Sequence, residues 1–136
     1  MTLTRLATAA MLAMSPTGAA LAGPYDGSQP LICAPIEILE CERELHCESQ
    51  SAETVDLPAF FRISVQDKTV TGTRPSGEPV NAKIDLTQLS DQQLFIQGVQ
   101  KKYGWSAAID QTKGHLTMTI HDQATGFVIF GACTPR

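Results

Sequence analysis

Cysteine, histidine and glutamate crowd one short stretch of this chain. Cys41, His46 and Cys47 lie within seven residues, with Glu40, Glu42, Glu44 and Glu48 around them. Thiolate and imidazole together accept Cu(I) or Zn(II), so Cys41, His46 and Cys47 form a candidate metal site. Their spacing matches no closed structural-zinc pattern, and thiols outside the cytoplasm oxidise unless protected. The four cysteines therefore read as two disulfides, with three possible pairings. The favoured pairing is Cys41–Cys47 with Cys33–Cys133. The first would close a short acidic loop, for about 2 kcal/mol in the chain-entropy model. The second would tie the first strand to the last across about 100 residues, for roughly 4 to 5 kcal/mol.

Catalytic chemistry has little to stand on. His46, His115 and His121 are the three histidines, and no Ser sits in a G-x-S-x-G elbow. His121 and Asp122 are adjacent, and neighbours on a strand point to opposite faces. His115 and His121 begin and end one predicted strand, too far apart to share a proton. The paired carboxylates of the acidic stretch have no apolar pocket to separate their pKa values. No enzyme activity and no cofactor is expected.

The elements that would position these groups begin with a leader. Arg5, the apolar run Leu6–Met14 and the small residues Ala20-Leu21-Ala22 have the layout of a Sec-type signal peptide cleaved near Ala22. The run is well below the roughly 18 residues of a membrane span. The mature chain, 23–136, then reads as one periplasmic or secreted domain, oxidised in its own compartment. Loss of Arg5 takes the formal net charge from −4 to about −5. Eight acids (Asp26, Glu37, Glu40, Glu42, Glu44, Glu48, Glu53 and Asp56) precede Leu57 with a single base, Arg43, among them. That asymmetry suits a cationic partner and argues against nucleic acid.

Fold class follows from a period of two. Phe61, Ile63 and Val65 alternate with polar residues, as do Ile84 and Leu86, Trp105, Ala107 and Ile109, and Leu116, Met118 and Ile120. Turn chemistry separates them at Asp67-Lys68, Thr73–Pro79, Ser90-Asp91, Gln111–Gly114 and Asp122–Gly126. About eight short strands result, with no convincing helix. Connections this short permit antiparallel neighbours only. The expected architecture is all-β: an antiparallel meander forming an up-and-down barrel or a curved, partly closed sheet, stapled by disulfides. The first strand, Leu31–Leu39, changes parity at Pro35, so a bulge or an edge is expected there. An acidic loop should follow over about 40–56. Gly98 is a candidate bulge or close-approach site.

A dozen bulky apolar residues on the inward parity should fill the barrel and leave little room for a ligand. The last strand is apolar on both faces, Phe127 and Ile129 against Val128 and Phe130. Leu31–Leu39 is its natural cover; otherwise Val128, Phe130 and Phe60 would form an exposed patch.

The stretches YDGSQPLIC (25–33), EC (40–41), LPAFFRI (57–63), GWSAAID (104–110) and GFVIFGAC (126–133) resemble a group of small exported bacterial proteins of unknown function. The resemblance spans most of the mature chain and implies a β-rich exported domain with no catalytic residues. Secreted β-barrel inhibitors of lysozyme or proteases are similar in size, export and disulfide use. The expected function is therefore a non-enzymatic exported binding protein. It would meet another protein or a cell-envelope component through the acidic loop (Glu40, Glu42, Glu44, Glu48) or the last-strand face. An inhibitor of a cationic hydrolase is the alternative, and a Cu- or Zn-handling protein through Cys41, His46 and Cys47 the second.

Overall fold

A computed structural model describes residues 24–43 and 46–136. The leader and Glu44 fall outside the described residues. Ten antiparallel strands form one sheet: β1 (Leu31–Glu42), β2 (Cys47–Gln50), β3 (Phe61–Ser64), β4 (Thr69–Thr73), β5 (Pro79–Lys83), β6 (Leu86–Leu89), β7 (Gln93–Gln100), β8 (Tyr103–Asp110), β9 (His115–His121) and β10 (Thr125–Pro135). Their order is β5-β4-β3-β1-β10-β9-β8-β7-β6, with β2 added beside β1. Two meanders, β3–β5 and β6–β10, thus flank β1, and the sheet curls into a half-barrel.

Each departure from the sequence reading has a local cause. The anticipated strand around Ile84 and Leu86 breaks at a corner between β5 and β6, where Asp85 N donates to Gln97 O (2.8 Å) and Ile84 N to Lys68 O (2.9 Å). The corner buries Ile84 (1% exposed) and turns Leu86 outward (50%). It also brings β5 against β7, so the sheet's two ends approach without forming a ladder. Gly98 permits that approach, because a Cβ there would collide with the Lys83 carbonyl oxygen.

Part of the expected acidic loop is strand, while 51–56 are loop and turn. β1 continues to Glu42 and pairs with β2 in the register Glu40↔Glu48 and Cys41↔Cys47. A strand with two free edges is stabilised by any neighbour that satisfies its N–H and C=O groups, and β1 uses β3 along its first half and β2 along its second. At Pro35 the predicted bulge is present: Pro35 faces Gly131 and Glu37 faces Phe130, leaving Ile36 unpaired and 75% exposed. The missing Pro N–H removes a ladder bond, and the extra residue lets Ile38 return to the core.

β1 does not cover the outer face of β10. It lies edge to edge with it over an eleven-pair ladder. Phe130 consequently stays 41% exposed. The register row Phe130–Thr117–Ala108–Phe95 then runs across the convex side.

Both disulfides have the favoured pairing, Cys33–Cys133 and Cys41–Cys47, with Cα separations of 4.0 and 4.1 Å. One continuous core of buried side chains runs through the interior, and at one end it is filled. There Leu31, Ile63, Ile84, Leu94, Ile109 and Leu116 are buried. The arm before β1 closes that end: Gly27 (φ +86°) lies against Val65 and Leu94, and Tyr25 against Gly114.

Candidate functional site: a cavity at the open end of the half-barrel

At the other end the strands diverge around a cavity of about 330 Å³. This overturns the expectation of a filled interior. Side chains on the inward parity do fill the narrow end, but β5 and β6 part at their corner and do not close the wide one. The cavity's back is made by Trp105, Met118, Ile120, Phe127 and Ile129 from β8–β10. Phe61, Val70, Val80 and Ala82 from β3–β5 form the facing wall, and Val55, Leu57 and Pro58 from the β2–β3 connection one side. Asp56, Arg74, Glu78, Gln100 and Tyr103 supply the polar groups.

Two clasps hold this mouth. Arg74 Nη1 donates to the Asp56 carbonyl oxygen (2.6 Å) and stands 4.0 Å from its carboxylate. That carboxylate accepts from Ser76 N and Ser76 Oγ, each at 3.0 Å. Asp56 manages this in the left-handed region (φ +51°), which Asp tolerates better than most residues. On the far side Gln100 Nε2 donates to Asn81 O (3.4 Å), bridging β7 and β5.

The acidic hairpin borders the same end. Glu40 pairs with Phe127, Phe127 with Ile120 and Ile120 with Trp105. Directly opposed residues of an antiparallel sheet share a face, so Glu40 stands on the cavity side of the sheet. Glu48, opposite Glu40, shares that face too. Both are like charges at a position where repulsion is unfavourable. Arg43, the base of this segment, is committed elsewhere: its N donates to Ala124 O (3.0 Å) and its Nη2 to Gln123 O (2.8 Å).

Next to that turn, Lys102 Nζ meets Asp122 Oδ2 at 2.7 Å. The ammonium, with the N–H groups of Ala124 and Thr125, holds the Asp122 carboxyl far below the usual carboxylate range. The same partner raises Lys102. Asp110, capping the β8–β9 turn, is lowered by the N–H groups of Lys113 and Thr112.

Of the residues singled out from sequence, Glu40 and Glu48 come together beside the cavity, while Glu42 lies at the exposed end of β1. Cys41 and Cys47 are consumed by their disulfide, so neither sulfur is a thiolate for the metal alternative. No group of three or more His, Cys, Asp or Glu among the described residues is placed to hold a metal ion. His115 and His121 sit at opposite ends of β9. Arg74, Glu78, Gln100 and Tyr103 were not anticipated. All four lie in or beside turns, where no period marks which side chains will face a cavity. Comparison with protein-family models, curated proteins and solved structures finds no match.

Proposed function

We propose that this chain is an exported, non-enzymatic binding protein that takes a small, mainly apolar ligand into the open end of its half-barrel. The cavity carries this reading. Ligand sites are concave and mostly apolar with a few placed polar groups, and about 300 Å³ is the lower end of their usual size. A cavity of about 150 Å³ accommodates one benzene, so this one suits a ligand of on the order of a dozen non-hydrogen atoms. Two disulfides and the leader-like first residues support export.

The single Trp of the chain, Trp105, lines the cavity, so its indole N–H resonance reports occupancy. Titrating ¹⁵N-labelled mature protein with tert-butylbenzene should shift that resonance saturably, and Val80→Phe, which fills the wall, should abolish the shift. An unmoved indole signal up to the solubility limit would refute a cavity ligand.

A second reading is a cationic macromolecular partner met by the acidic hairpin, favoured by the placement of Glu40 opposite Glu48. In its inhibitor form, excess protein slows a cationic hydrolase such as lysozyme. Unchanged hydrolysis rates at low salt would remove it.

A further inference from the structure

The cavity's own chemistry says which kind of ligand it should prefer. We infer that it selects organic cations: an ammonium or quaternary ammonium head on an apolar body. This deepens the cavity reading above and rests on it. Four of the chain's eight aromatic residues, Phe61, Tyr103, Trp105 and Phe127, line this one space. Aromatic faces attract cations through the ring quadrupole, Trp most strongly, and quaternary ammonium groups are recognised by such surroundings. One of these rings already does so within the protein, since Lys102 Nζ sits 4.9 Å from the Tyr103 centroid.

The charges around the mouth have the matching sign. Asp56 and Glu78 line it; Glu40, outside the lining, stands beside Phe127 on the same face of the sheet, with Glu48 one strand further out. Three bases lie at this end besides the turn-bound Arg43. Arg74 is held by Asp56 and Lys102 by Asp122, while Lys101 is exposed at the β7–β8 turn. Glu40, Glu48 and Glu78 have no ion-pair partner within 4 Å among the described residues. A cation seated among the aromatic rings would be attracted by these unpaired carboxylates. A carboxylate in its place would be repelled by them. Among the residues that line the cavity, Arg74 is the base that could meet an anion, and Asp56 already offsets its charge.

The test compares three probes of similar size on the full mature protein, read by the Trp105 indole resonance and by calorimetry. These are benzyltrimethylammonium, its neutral carbon isostere neopentylbenzene, and 3-phenylpropionate. The cation should bind roughly tenfold more tightly than the isostere at low salt, from a screened Coulomb contribution plus ring contact. The preference should shrink as salt rises, and 3-phenylpropionate should bind most weakly. In the double variant Glu40→Gln/Glu48→Gln the cation preference should fall while the isostere's affinity stays. If the isostere binds and the cation does not exceed it, or if the anion equals the cation, cation selection is refuted and the cavity reading survives. A preference unchanged in the double variant refutes the role given to the hairpin carboxylates. If no probe moves the indole signal, the cavity reading itself falls.

Discussion

Removing the two disulfides one at a time should cost very different amounts, and the difference follows from topology. Cys33–Cys133 spans a sequence separation of 100 residues and Cys41–Cys47 one of 6. In the chain-entropy model a bridge stabilises by restricting the unfolded chain, so the long loop contributes about 4.7 kcal/mol and the short one about 2. The folded state should change little on either removal. Both bridges join residues already opposed in a hydrogen-bonded ladder, Cys33↔Cys133 in β1–β10 and Cys41↔Cys47 in β1–β2. Cys33→Ala/Cys133→Ala also deletes two buried sulfur atoms, 0% and 7% exposed by residue, which adds a packing loss of about 1 kcal/mol. Cys41→Ser/Cys47→Ser acts on a more exposed site and adds none. With an unfolding entropy of about 2.1 cal/mol/K per residue, the melting temperature should fall by about 20 °C or more in the first case and about 10 °C in the second. Urea unfolding is the assay, because its slope tests the mechanism as well as the size. Loss of the long bridge should raise m, since the freed unfolded chain exposes more surface. Equal costs, the reverse order, or an unchanged m in the Cys33→Ala/Cys133→Ala variant would refute the loop-entropy account.

Gly98→Ala places a methyl group against the Lys83 carbonyl, where β5 approaches β7. It should destabilise by about 2 kcal/mol or more, measured by urea unfolding, whereas Gly77→Ala, with nothing within 4 Å of its Cβ position, should cost only the strain of its φ of +86°. Stability should also depend on pH through Asp26, Asp110 and Asp122, whose carboxyls are all lowered from an ordinary 3.8. A lowered folded-state pKa gives stability that is fully present above the unfolded value. It is lost as pH falls through the folded value, so the loss should begin below about pH 5 and deepen in acid. The Lys102–Asp122 part should weaken in high salt, and thermal unfolding of Asp122→Asn should show a shallower acid limb. Asp56→Ala removes the acceptor of both Ser76 bonds and should loosen the 74–78 turn. A loss of about 1 kcal/mol in urea unfolding, with faster amide exchange at Ser76 and Gly77, is the expected result.

Local pattern carried much of the fold. The period-two runs at Trp105–Ile109 and Leu116–Ile120 lie within β8 and β9, and the Gln111–Gly114 turn joins them. Pro35 announced the bulge by the hydrogen bond it cannot make. The residues 40–50 misled for an equally physical reason. Alternating charge with few β-formers reads as loop, yet the pairing that makes Cys47–Gln50 a strand is a tertiary contact with β1. Leu86 looked inward because it shares parity with Ile84, and the corner at Ile84-Asp85 reverses that sense.

By itself the chain's composition determined an all-β, disulfide-bridged protein, because strand periodicity, turn chemistry and cysteine number are local properties. Tertiary structure alone decided that β1 sits inside the sheet, between β3 and β10. It also decided that the far end stays open, with Asp56, Arg74, Glu78, Gln100 and Tyr103 at one mouth. These residues come from three separate connections and strand ends, and their meeting depends on how far a curved sheet closes. Closure is a sum of twist, bulge and corner over ten strands, which no short window of sequence contains.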